Sequence, residues 1–231
     1  MRRKPTANTE PPDRELGSDA GAACRPGKQE CHSHRVRRVL FRSHQIKRNP
    51  IHYGTSRIHR FDSPDGSYGV LYAGRDAYCA FIETFARSAG VRIVTTAELE
   101  ARALSELKAT RPLNLIDLTQ SGALARIGAD SRLFAGDHSI AQLWSNALHE
   151  HPAEADGLIY RSRLDPVRHA IVWYQDRAPK LVELSRQSWY APGPQRRLLV
   201  EIIEHYKLDL IESHSVAPRK PPAKARQEEM F

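Results

Sequence analysis

Four apolar runs of strand length set the frame of this chain: GVLY at 69–72, PLNLIDLT at 112–119, DGLIYRS at 156–162 and HAIVWYQ at 169–175. Runs this short, rich in Val, Ile, Leu and Tyr and bounded by Gly, Pro or Asp, read as strands of a sheet. VRRVLFRSH at 36–44, VRIVT at 91–95 and KLVELSR at 180–186 add candidates, and RLDPVR at 163–168 supplies a turn between two of them. Helical spacing interleaves irregularly. It appears at Ala77, Ala80, Phe81, Ile82 and Phe85; over 95–109, opened by a Thr95/Glu98 capping box; over 137–151, with Asp137 as N-cap; and after Pro194. The class is α+β: a compact mixed sheet with flanking helices.

The formal net charge of +8 is unevenly spread. Residues 1–48 carry 12 Lys/Arg against 5 Asp/Glu, residues 217–231 carry 4 against 2, and residues 49–216 hold 19 against 20. A nucleic-acid-binding fold is expected to carry its basic face on the fold itself, so direct nucleic-acid binding is not the expectation. Residues 1–34 read as a disordered basic extension, 35–210 as the folded domain with a C-terminal helix, and 211–231 as a loose basic tail. Three cysteines make no disulfide framework. Cys24, Cys31, His32 and His34 match no common zinc spacing, so no metal site is expected. The chain shows no membrane-length apolar run and no signal-peptide core, and the expected compartment is the cytoplasm.

Several chemistries are excluded by pattern. No Gly-x-Gly-x-x-Gly follows a strand, no phosphate-binding loop ends in Lys-Ser or Lys-Thr, and Ser162 lacks a Gly-x-Ser-x-Gly elbow. The HEH at 149–151 is no zinc motif and reads as solvated surface; Cys79 reads as packing, and Trp144 and Trp173 as core. What remains is a set of polar residues on separate elements. Arg42 ends a candidate strand, Arg60 stands in HRFDSP, Tyr72 ends GVLY, Glu83 interrupts the apolar helix and Ser162 ends DGLIYRS.

In that order and with those gaps, these residues resemble the RES domain, a family named for its Arg, Glu and Ser. The similarity runs from LFRSH at 40–44 to WYQDRA at 173–178. It implies an ADP-ribosyltransferase-like fold, NAD+ degradation, and a role as toxin beside a helix-turn-helix antitoxin. It further implies that Arg42, Arg60, Tyr72, Glu83 and Ser162 line an NAD+ cleft, with Glu83, Arg60 and Tyr72 catalytic and Arg42, Arg60, Tyr72 and Ser162 binding. NAD+ is then a substrate, inorganic phosphate or water the acceptor, and no bound cofactor is implied. Where many members carry Gly-Arg-Trp, this chain has His59-Arg60-Phe61. Arg60 is favoured because Phe61 can replace the Trp; Arg57 is the rival.

The residue types suit that chemistry. Breaking the nicotinamide–ribose bond builds positive charge on the ribose, which a carboxylate stabilises, and nicotinamide leaves as a neutral base that needs no general acid. Guanidinium groups match the paired oxygens of a diphosphate or phosphate. Two other readings fit the sequence: an ADP-ribosyltransferase that modifies a macromolecule, and a non-enzymatic nucleic-acid-binding module using the basic ends.

Overall fold

The computed structural model describes residues 33–36, 39–86 and 92–213. Of the extension expected at 1–34, residues 1–32, with Cys24, Cys31 and His32, lie outside the described residues, as does the tail from 214 onward, whereas Ser33 and His34 open a strand.

The strands are β1 (Ser33–Val36), β2 (Val39–Gln45), β3 (Val70–Gly74), β4 (Ile93–Thr95), β5 (Arg102–Ala109), β6 (Leu113–Asp117), β7 (Gly157–Arg161), β8 (His169–Tyr174), β9 (Leu181–Ser188) and β10 (Asp209–Ile211). The helices are α1 (Ala77–Phe85), α2 (Thr96–Glu100), α3 (Ala123–Ile127), α4 (Arg132–Ala135), α5 (His138–His149) and α6 (Pro194–Tyr206). Eight strands form one mixed sheet in the order β1-β6-β7-β8-β3-β2-β5-β9, and β10 pairs in parallel with β4 apart from it. The mixed sheet with flanking helices is as expected. β10 straddles the expected start of the tail at 211.

Burial on both faces places β8 in the centre. One face packs Val172 and Tyr174 against Trp144 and Leu148 of α5, and the other packs Ile171 and Trp173 against Leu71 and Leu40. A third cluster joins Phe81 of α1 to Leu99, Trp189, Leu199 and Ile202. Trp144 and Trp173 are core residues, as expected.

Three expectations need correction. The helix over 95–109 stops at Glu100, and Arg102–Ala109 is a strand paired on both sides. The capping box is present, but beyond it Ala103, Ser105, Leu107 and Ala109 are all fully buried at period two. Burial between β2 and β9 overrides the helix propensity of Ala, Leu, Glu and Lys. The strand expected at 36–44 falls on two strands: β1, which ends at Val36, pairs with β6, whereas β2, from Val39, lies four strands beyond β6, beside β3. Of the HEH at 149–151 only Glu150 is exposed: His149 stacks on Tyr68 with ring centroids 4.0 Å apart and His151 is buried.

One irregularity in the sheet shapes the site. β2 follows β5 through seven Cα pairs but meets β3 at a single pair, Phe41 with Gly74. Beyond that pair the strands part, splitting the sheet into β1-β6-β7-β8-β3 and β2-β5-β9. Packing of α1 sets the end of the seam. A Cβ on Gly74 would lie 2.7 Å from the Ala80 nitrogen and 2.8 Å from Cys79 Cβ, so only glycine admits the helix this close.

Candidate active site

The parted strands open a cleft of about 470 Å³. Arg42 and Ser43 of β2 face Ala73 and Tyr72 of β3 across it, the positions an unbroken ladder would have paired. Helix α1 contributes Ala80, Glu83 and Thr84, strand β7 contributes Tyr160 and Arg161, His138 opens α5, Phe134 sits on the short α4, and His59, Arg60 and Arg163 come from loops. Glu83 is the one carboxylate among these lining residues, against four arginines. Among the described residues no group of His, Cys, Asp or Glu could hold a metal ion, and no helix is long and apolar enough to cross a membrane.

Glu83 reaches the cleft because α1 exposes one edge there while burying Ala77, Cys79, Ala80, Phe81 and Ile82. The helix starts at Asp76, whose side chain accepts from the Cys79 N–H at 2.7 Å and pairs with Arg168 at 2.9 Å. Glu83 Oε1 is buried and has no hydrogen-bond partner among the described residues. A carboxylate oxygen desolvated without a partner is costly, and a partner from a ligand removes that cost. Cys79, one turn below, is fully buried, and burial with the charge of Glu83 pushes its thiol well up, so it is packing rather than nucleophile.

Arg60 is delivered by the long connection between β2 and β3, and Asp62 holds that connection rigid. The fully buried Asp62 carboxylate accepts from the Ser56 and Tyr72 hydroxyls and from the Ile58 and His59 N–H groups. From α5, Gln142 donates to the Arg57 and His59 carbonyls and Ser145 to the Phe61 carbonyl. Arg60 Nη1 donates to Gly136 O at 2.9 Å and Leu133 O at 3.4 Å. Burial and the neighbouring Arg163 lower its pKa, opposed by the charge of Glu83, so Arg60 and Glu83 share one electrostatic site. Arg57 is exposed, adopts φ 60° and does not line the cleft. The structure brings Arg60, not its rival, to Glu83.

Arg42 is the fourth residue of β2, opposite Ser105, and not at a strand end as the sequence suggested. Its Nη1 donates to Pro50 O at 2.7 Å and His52 O at 3.0 Å. Burial pushes it down to about 10, which leaves it a cation at neutral pH. The Tyr72 hydroxyl donates to Asp62 Oδ1 and accepts from the Phe61 N–H, leaving its ring on the cleft.

Ser162 does not line the cleft. It is 1% exposed, and its hydroxyl accepts from the Leu164 and Asp165 N–H groups at 3.2 Å, forming the turn after β7. That turn carries Arg161 and Arg163 to the rim. Tyr160, Phe134 and Asp62 were not singled out in the sequence. Tyr160 had a signal, since it lies two residues before Ser162 and period-two alternation puts both on one face. Phe134 and Asp62 sit in irregular segments and left none.

A sequence profile described as the RES domain matches residues 35–201. A protein of Sinorhizobium fredii (strain NBRC 101917 / NGR234) named "Probable toxin y4kH" is 36% identical over 120 residues, covering 50% of this chain and 87% of its own. Among solved structures, a chain of the M. tuberculosis MbcT–MbcA toxin–antitoxin complex superposes with a TM-score of 0.57 at 18% identity. The match covers 73% of this chain and 92% of that one.

Proposed function

Because the chain belongs to the RES-domain family, we propose that it cleaves the nicotinamide–ribose bond of NAD+ and is the toxin of a toxin–antitoxin pair. The observation that carries the reading is Glu83: a lone carboxylate with a partnerless buried oxygen, in a cleft whose lining includes four arginines. NAD+ offers the complementary pattern, an anionic diphosphate beside a ribose that becomes cationic as its base departs. Arg42, Arg60, Arg161 and Arg163 face the diphosphate, or an attacking inorganic phosphate. Glu83 receives a ribose hydroxyl on Oε1, which supplies the missing partner, and opposes the developing oxocarbenium charge. The electron pair of the breaking C–N bond leaves with nicotinamide and neutralises its ring. The new bond forms from a phosphate or water oxygen to the anomeric carbon, and a water nucleophile releases one proton to solvent.

Ser162 acts through the turn it stabilises, and Tyr72 through its ring and the loop its hydroxyl holds. The toxin role is supported by the name of the Sinorhizobium relative and by the toxin–antitoxin complex that shares the fold. Such an enzyme works on the cytoplasmic NAD+ pool and is held in check by a cognate helix-turn-helix antitoxin that covers the arginine-lined cleft.

Product analysis after incubating the purified protein with NAD+, with and without inorganic phosphate, tests the reading. Free nicotinamide is expected in both, with ADP-ribose-1-phosphate when phosphate is the acceptor and ADP-ribose when water is. NAD+ recovered intact under both conditions overturns the enzymatic reading.

A further inference from the structure

The cleft has an aromatic wall that the arginine–glutamate chemistry does not use. The Phe134 and Tyr160 rings lie nearly parallel, 16° apart with centroids at 6.1 Å, and fully buried Phe61 backs Tyr160 at 4.8 Å. Both Phe134 and Tyr160 line the cleft; Tyr160 is buried, whereas Phe134 is only partly so. Phe134 sits on α4, and the two carbonyls that Arg60 Nη1 grips, Leu133 and Gly136, bracket it. The arginine at the site thereby fixes the position of the ring.

This wall adjoins Glu83. Of the charged groups around it, Glu83 acts most strongly on the Tyr160 hydroxyl. In the proposed reaction the anomeric carbon sits at Glu83, and the group bonded directly to that carbon is the base. We propose that Phe134, presented by Arg60 and backed by Tyr160, is the platform on which the nicotinamide ring stacks; the assignment rests on the NAD+ reading above.

The chemistry suits the direction of reaction. In the substrate the pyridinium is cationic and is attracted to an aromatic face. In the product the ring is neutral, keeps the stacking contact but loses the cationic part of the attraction, and so binds more weakly and departs. Phe134 thus discriminates the charged base from the released one, which makes it a specificity residue rather than a participant in bond cleavage.

The test compares wild type with Phe134→Leu and Phe134→Trp in NAD+ kinetics and in binding of free nicotinamide and of AMP followed by ligand-detected NMR. Stacking of a base on an aromatic ring accounts for roughly 1–3 kcal/mol, so Phe134→Leu is expected to raise KM about tenfold, with a smaller change in kcat. Nicotinamide binding should weaken with it, AMP binding should persist, and Phe134→Trp should restore both KM and nicotinamide binding. If wild type cleaves NAD+ while Phe134→Leu keeps its KM and nicotinamide affinity, the platform is refuted and the enzyme stands. Loss of AMP binding instead would assign the wall to adenine, which also refutes it. If wild type leaves NAD+ intact but binds nicotinamide in a Phe134-dependent way, the enzymatic reading fails and the platform survives. Neither cleavage nor nicotinamide binding in wild type overturns both.

Discussion

The hydroxyl of Tyr72 donates to Asp62 Oδ1 at 3.0 Å, tying the central strand β3 to the loop that delivers Arg60. The Tyr72 hydroxyl oxygen also accepts from the Phe61 N–H at 2.9 Å, and Asp62 is fully buried. Tyr72→Phe leaves a buried acceptor and a backbone donor without this partner, which costs about 1–3 kcal/mol. Urea unfolding should show the loss, and activity should fall through a raised KM as Arg60 loosens. A variant of wild-type stability with abolished kcat would instead assign the hydroxyl to the chemistry.

Glu83→Gln keeps the shape of the side chain and removes its charge. The fold should be retained, because Oε1 has no hydrogen bond to lose. Turnover of NAD+ should drop at least about a hundredfold, the scale of removing a principal electrostatic stabiliser. Expressed in cells, wild type should lower NAD+ and arrest growth, and the variant should do neither. Growth arrest by Glu83→Gln with NAD+ unchanged would transfer the toxicity to the basic ends.

Arg60→Lys and Arg57→Lys separate the two candidate arginines. Lysine cannot bind two oxygens in parallel nor hold the Gly136 carbonyl in the same geometry, so Arg60→Lys should raise KM for NAD+ by tenfold or more, on the order of one charged hydrogen bond. Arg57 is exposed and outside the cleft, and its replacement should leave the kinetics at wild-type values. The reverse ranking in a steady-state assay would refute the placement of Arg60.

Ser162→Ala removes the acceptor of the Leu164 and Asp165 N–H groups. A stability loss of about 1 kcal/mol is expected, together with a raised KM as Arg161 and Arg163 lose their turn. A hundredfold fall in kcat at unchanged KM would show that the serine meets the reacting atoms directly.

His169, opposite Arg161 across β7 and β8, sets a pH dependence. Burial first, then the charges of Arg75 and Arg161, hold its imidazole below the ordinary 6.5. The native state therefore prefers the neutral ring. This contribution to stability is complete above the unfolded value and is lost as pH falls through the folded one. Denaturant titrations between about pH 5 and pH 8 should show His169→Gln flattening the acid limb. An identical acid limb in the variant would exclude His169 as its source.

The legible parts of this fold are those whose burial follows a local period. The capping box at Thr95 and the Asp137 N-cap are present because cap chemistry is a property of four or five adjacent residues. β5 was misread because Arg102–Ala109 is built of helix formers, and only its place between β2 and β9 makes it a strand. At the site, Glu83 was visible as a carboxylate within an apolar helix, and Arg60 only through the ordered resemblance to the RES domain. Asp62 and Phe134 were not, since an Asp in a turn-rich loop and a Phe in a short helix gain their meaning from contacts 10 and 76 residues away, with Tyr72 and through the Arg60 clamp.

The place of β8 between β7 and β3 has a consequence for biosynthesis. Chain growth runs from the N-terminus, so β3 emerges nearly a hundred residues before the strand that backs it. Until β8 has left the ribosome, the β3 wall has, among the described residues, the Phe41–Gly74 pair and the Gly54 bridge as its ladder support. The β2 wall waits likewise for β5, and β5 for β9 on its outer edge. A chain that ends at residue 163 holds Glu83 and the four cleft arginines but neither β8 nor β9. Both walls of the cleft therefore gain their full ladder only once residue 188, the end of β9, has been made.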